Sequence, residues 1–111
     1  MKSENKNEGK PSPTLLLKDF QRSFDEILGV REMGAKKYSR YNWAFSMGTD
    51  DAKQFLDENA DSMSRHLLEY LIGQQKDHES GRHVLAHLAL RCMIAIEYAQ
   101  CEQMGKPEYL H

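Results

Sequence analysis

The stretch Ser80-Gly81-Arg82-His83-Val84-Leu85-Ala86-His87-Leu88-Ala89-Leu90-Arg91-Cys92-Met93-Ile94-Ala95-Ile96-Glu97-Tyr98-Ala99 decides the fold. Val84, Leu85, Leu88, Ala89, Cys92, Ala95, Ile96 and Ala99 recur at helical spacing and cover more than half of a helix's circumference. A helix that apolar is central in its domain or packed against a partner chain. Ser80 is its natural cap, which predicts a helix from about Gly81 to Met104, closed by Gly105 and Pro107. Cys92 and Cys101 would then stand about 13.5 Å apart along the axis, too far for a disulfide. They read as small packing residues in a reducing compartment.

Two further helices precede this one. Ala52, Phe55, Leu56, Met63, Leu67, Tyr70 and Leu71 form an apolar face, with Thr49 or Asp50 as cap and Gly73 as stop. The polar run from Asp57 to Ser62 predicts a late start or a break in it. Upstream, Leu16, Phe20, Phe24, Ile27 and Leu28 predict a helix from about Leu15 to Met33, ended by Gly34. Residues Gly34 to Gly48 have no sustained period and form a long connection, a kind of loop that usually has a function. Nothing alternates with period two, so no sheet is expected. The fold class is all-α: a small bundle of three main helices with a long functional loop between the first and second. The wide apolar face of the third is best buried against a second copy, so a homodimer is expected to complete the bundle.

A chain of 111 residues is one domain. Residues 1–13 are polar and end in Pro-Ser-Pro, a composition expected to be disordered. The helical domain then covers 14–106, with a short tail over 107–111. A formal net charge of −2 gives no general attraction to nucleic acid. No apolar run approaches a membrane span, and the N-terminus has no apolar secretion segment. The expected setting is the cytoplasm, away from membranes.

Chemistry-bearing side chains crowd around the junction of the second and third helices. His83 and His87 lie four apart on one face, and His66 and Glu69 three apart on another. A short turn between Gly73 and Gly81 makes these helices antiparallel, so the two pairs reach similar depth, with Asp77 and Glu79 at the rim. Helix bundles build metal sites this way, and the same groups can move protons. The plain alternative assigns Glu69 to an ion pair with Arg65, and Asp77 and Glu79 to solvation and helix-dipole roles.

The connection has its own logic. Gly34 permits close approach, Lys36 and Lys37 can meet phosphate oxygens, and Tyr38 and Trp43 can stack on a base. Asn42 can read a base edge through its paired donor and acceptor. Alternatively Tyr38 and Trp43 cap the bundle while the lysines stay solvated. There is no Gly-rich phosphate loop, no cysteine pair at zinc-finger spacing, and no Ser or Cys nucleophile with an evident base.

Three ordered blocks resemble a known family. They are Gly29-Val30-Arg31-Glu32-Met33-Gly34-Ala35-Lys36-Lys37-Tyr38 with Asn42-Trp43; Arg65-His66-Leu67-Leu68; and Asp77-His78-Glu79-Ser80-Gly81 running into Leu85-Ala86-His87. The chain is similar to small bacteriophage proteins of the dATP/dGTP diphosphohydrolase N-terminal family, over nearly all of Leu15 to Tyr98. One departure is Val84, where the family pattern has His, with His83 just upstream. The resemblance implies an all-helical protein acting on purine deoxynucleoside triphosphates, releasing pyrophosphate and leaving the monophosphate. A looser similarity to MazG-like pyrophosphohydrolases lacks their paired acidic helical motifs here.

On this footing Glu69, Asp77 and Glu79 would gather Mg²⁺, with His83 and His87 as further metal ligands. His66, Glu69 and His87 would carry the chemistry, with His66 or His87 transferring a proton. Lys36, Lys37 and Arg65 would neutralise phosphate, and Tyr38, Asn42 and Trp43 would hold the base. The low carboxylate count keeps a histidine-rich site for Mn²⁺, Co²⁺ or Zn²⁺ open. The rival is a non-catalytic helical module, a phage accessory protein engaging a host protein or nucleic acid.

Overall fold

Val84–Met104 forms one continuous helix, as its apolar periodicity demands, and the other elements lie along it. The computed structural model describes residues 9–111. The order is α1 (Thr14–Leu17), α2 (Gln21–Lys37), a 3₁₀ turn at Asn42–Ala44, α3 (Ala52–Leu71), α4 (Val84–Met104) and a 3₁₀ turn at Glu108–Leu110. The described residues are all-helical, with no strand. Lys76 and His83 make an isolated antiparallel bridge that closes the α3–α4 turn. Both α2 and α3 pack on α4. Of the expected tail 1–13, residues 1–8 lie outside the described residues.

Four helix boundaries differ from the sequence expectation, each for a local reason. The first helix is broken at Lys18–Phe20, where Phe20 leaves helical geometry at φ −114° and ψ 40°. It then runs past Gly34 to Lys37, because Gly34 keeps a helical backbone and its carbonyl accepts the Tyr38 N–H at 3.0 Å. Helix α3 does not break over Asp57–Ser62. Two residues of that polar run, Asn59 and Ser62, face inward and are buried. The Asn59 amide donates to the Arg91 carbonyl at 3.0 Å, so the polar stretch is part of the helix interface rather than an interruption.

Helix α4 begins at Val84, three residues late, and its cap is His83 rather than Ser80. The His83 Nδ1 accepts the Leu85 N–H at 3.0 Å. Ser80 is held in the preceding turn, because Gly81 takes a left-handed backbone at φ 70° that no helix can contain. The stop at Gly73, with φ 97°, is where the sequence puts it.

The core sits toward the C-terminal half of α4. Ala44, Met47, Ile94, Tyr98 and Leu110 are buried together, with Trp43, Phe55 and Leu56 packed around them. Tyr98 stacks on Phe55 at 4.8 Å between ring centroids, and its hydroxyl donates to the Trp43 carbonyl at 2.7 Å. Burial pushes the Tyr98 phenol up to about 12. The α2–α3 connection is therefore pinned to the core end of α4. Leu110, in the segment read from sequence as a tail, is part of this core.

Arg82 ties the α3–α4 turn to α2. Its guanidinium lies across Gly29 and pairs with Asp25 at 3.2 Å and Glu26 at 2.9 Å. A Cβ at position 29 would collide with that guanidinium, so the bare backbone permits the crossing. Glu26 is held below the usual carboxylate range chiefly by its hydrogen bond from Arg82.

Contrary to the sequence expectation, α4 is long and apolar enough to cross a membrane by length and composition, at a mean hydropathy of 1.3. Here it serves as the packing surface for α2 and α3, and it carries Arg91 and Glu97 within its length.

Candidate active site

The antiparallel pairing of α3 and α4 places a polar seam where most helix pairs have an apolar one. On α3 the inward series is Asn59, Ser62, His66 and Glu69, with steps of three, four and three. On α4 the facing residues are His87 and Arg91, four apart, with the cap residue His83 four before His87. Both spacings keep a side chain on one helical face.

His66 and His87 meet in the middle of this seam, their ring centroids 4.8 Å apart and their planes tilted by 30°. His66 Nδ1 donates to Glu69 Oε1 at 2.8 Å. An ionised carboxylate can only accept, so that bond places a proton on Nδ1, and in the neutral ring Nε2 then carries the lone pair. His87 Nε2 shares a 2.7 Å hydrogen bond with the Ser80 hydroxyl and lies 3.4 Å from Asp77 Oδ2. Asp77 in turn accepts the backbone N–H groups of Ser80 at 2.8 Å and Glu79 at 3.1 Å. The turn is thus folded around one carboxylate, and that carboxylate faces the imidazole.

Burial depresses the His87 pKa most. Asp77 opposes that shift, and His66 and Arg91 add to it. For Asp77, burial pushes upward, but the Ser80 and Glu79 amide bonds and His87 together hold it below its usual range. At neutral pH the seam therefore holds a neutral His87 beside an ionised Asp77.

The structure brings His66, Glu69, Asp77 and His87 together and separates other residues grouped with them on sequence. Glu79 is exposed and paired with Lys37 at 2.8 Å. This bond raises the Lys37 pKa, and it occupies one of the two lysines assigned to phosphate. His83 is engaged in capping α4, with the Tyr70 ring 6.3 Å away. Lys36 is exposed in the last turn of α2, and Arg65 is exposed beside His66. Tyr38 is exposed, with the Lys37 ammonium 5.4 Å from its ring.

Asn42 and Trp43 do not belong to the seam. Trp43 packs on the core beside Tyr98, which lies roughly 16 Å along α4 from His87 by helical rise. Two participants escaped the sequence reading. Ser80 could not be found, because its contact depends on the Gly81 turn. Arg91 was visible as the next member of the His83–His87 series.

The five residues expected to hold a divalent ion do not converge. Among the described residues, no group of three or more His, Cys, Asp or Glu side chains could hold a metal ion. Glu69 and Asp77 each have an oxygen engaged, Glu79 is turned to Lys37, and His83 caps a helix. Magnesium asks for about six oxygens in a near-octahedral shell, and these residues do not fit it as a resident ion.

An all-helical domain with paired imidazole–carboxylate units between two antiparallel helices is the class this geometry defines. A family model described as dATP/dGTP diphosphohydrolase, N-terminal, matches residues 1–108, and the chain belongs to that family. The family's name points to nucleotide hydrolysis, and the matched part is its N-terminal domain. No curated protein and no solved structure matches the chain.

Proposed function

We propose that this domain acts in hydrolysis of purine deoxynucleoside triphosphates, dATP or dGTP, to the monophosphate and pyrophosphate, in phage nucleotide-pool metabolism in the host cytoplasm. The observation that carries this reading is the meeting of the His66–Glu69 pair with the His87–Asp77–Ser80 group. Water adds to the α-phosphorus, and the bridge between the α- and β-phosphorus breaks. Pyrophosphate leaves with the electron pair of that bond. His66, oriented through Nδ1 by Glu69, accepts the proton of the attacking water at Nε2. His87, kept neutral by burial, and the Ser80 hydroxyl supply polar contacts to the phosphoryl oxygens. Arg65 and Lys36 add positive charge, and Tyr38 offers an exposed ring to the base. A divalent cation, Mg²⁺ first and Mn²⁺, Co²⁺ or Zn²⁺ as alternatives, enters with the triphosphate as its counter-ion.

We also read the working form as a homodimer. Leu67, Leu68, Leu71 and Ile72 at the end of α3 and Met93 and Ile96 on α4 are exposed. The radius of gyration is 16.9 Å, against about 13 Å for a compact chain near 100 residues. A second copy would cover these side chains, and light scattering on the pure chain measures it.

The deciding experiment is pyrophosphate release from dATP and dGTP by the pure protein with Mg²⁺ or Mn²⁺. Release that disappears in His66→Gln with the fold intact supports the reading. No turnover with any common nucleotide or metal rejects catalysis by this chain and leaves a helical binding module.

A further inference from the structure

Arg91 is set into the seam one helical turn beyond His87, facing Asn59 of α3. Its guanidinium donates to the Asn59 side-chain oxygen at 3.4 Å, while the Asn59 amide holds the Arg91 backbone carbonyl. Asn59 is neutral, so it positions the guanidinium without compensating its charge. Among the described residues, no carboxylate lies at ion-pair distance from Arg91 or Arg65; the same holds for exposed cations such as Lys36 and Arg40, but Arg91 is partly buried between two helices. The charge that bears most on Arg91 is positive. Burial first, and then Arg65, make its charged form harder to keep.

A partly buried cation held only by a neutral amide lowers stability unless something compensates it. Guanidinium groups match phosphate oxygens in pairs through their fixed fork of donors. We propose that Arg91 and Arg65 form a polyphosphate subsite at the edge of the His66–His87 pair, so that the chain selects a triphosphate over a monophosphate. The proposal rests on the reading of that pair as the reaction centre, since it assigns the substrate's phosphate tail to the neighbouring turn of the same seam.

Inorganic tripolyphosphate is the probe, titrated calorimetrically into the full chain, with orthophosphate as the comparison. Wild-type protein is expected to bind tripolyphosphate more tightly than orthophosphate. Arg91→Gln and Arg65→Gln each weaken tripolyphosphate binding by roughly tenfold to a hundredfold, the worth of a charge-assisted contact. Circular dichroism confirms that both variants are folded. Asn59→Asp keeps both arginines but gives Arg91 an internal carboxylate, and it should weaken tripolyphosphate binding as well. Unchanged affinity in folded Arg91→Gln, or no preference for tripolyphosphate in the wild type, overturns the subsite. Because the titration needs no turnover, a chain that binds tripolyphosphate through Arg91 yet releases no pyrophosphate keeps the subsite and loses the hydrolytic reading.

Discussion

His66 and His87 face each other from antiparallel helices with their ring centroids 4.8 Å apart, and each has its own acidic neighbour, Glu69 and Asp77. Two imidazoles this close repel when both are charged, and His66 is one of the groups that lower the His87 pKa.

Acid should weaken the fold in two stages. The His87 pKa is depressed below 6.5 in the folded state, chiefly by burial. Below 6.5 the unfolded chain therefore binds more protons, and stability falls as pH drops from there through the folded value. Asp77, also depressed, contributes stability that is present above 3.8 and is lost as pH falls through its lower folded value. Melting temperatures between pH 7.5 and 5 should decline in the wild type and decline less in His87→Gln. Asp77→Asn removes the larger of the two carboxylates that raise the His87 pKa, and an NMR titration should then find His87 protonating at still lower pH.

Glu69→Gln should leave the helix pair standing while disabling the proposed base. The amide can still meet His66, but it no longer dictates the tautomer that exposes Nε2. We expect pyrophosphate release to fall by about 10² to 10⁴, the usual contribution of a general base, with a far-ultraviolet spectrum like the wild type's. A variant as active as the parent removes Glu69 from the mechanism.

Tyr98→Phe should loosen the connection rather than the reaction centre. The lost bond to the Trp43 carbonyl is part-buried and leaves that carbonyl without its partner, so the cost is about 1–3 kcal/mol, read from chemical denaturation. Hydrogen exchange should quicken over residues 42–47 before it changes in α3.

Chelation separates a resident ion from one that arrives with substrate. Prolonged treatment with EDTA should leave the melting temperature unmoved, and Mg²⁺ alone should shift none of the His66, Asp77 or His87 resonances. A large fall in melting temperature on chelation would mean that the chain holds a metal of its own.

The helices were legible from their apolar spacing, and so was the stop at Gly73. The polar run in α3 was misread because sequence polarity implies solvent, whereas Asn59 is satisfied by a carbonyl from another helix. Pairing of His66 and Glu69 with His87 followed from helix spacing and a short turn. The placement of Glu79 and His83 did not, because spacing cannot reveal that Lys37 and the Leu85 amide engage them, while Trp43 packs on the core as the alternative reading of the connection had it.

Gly29 gives the molecule a mechanical coupling. Arg82 belongs to the turn that carries Asp77 and Ser80, and it reaches α2 across the one position where no side chain stands in the way. A methyl group there would force the guanidinium aside. Helix α2 and the proton-handling turn would then be joined only by the exposed Lys37–Glu79 pair and by the packing of α2 on α4, a looser linkage.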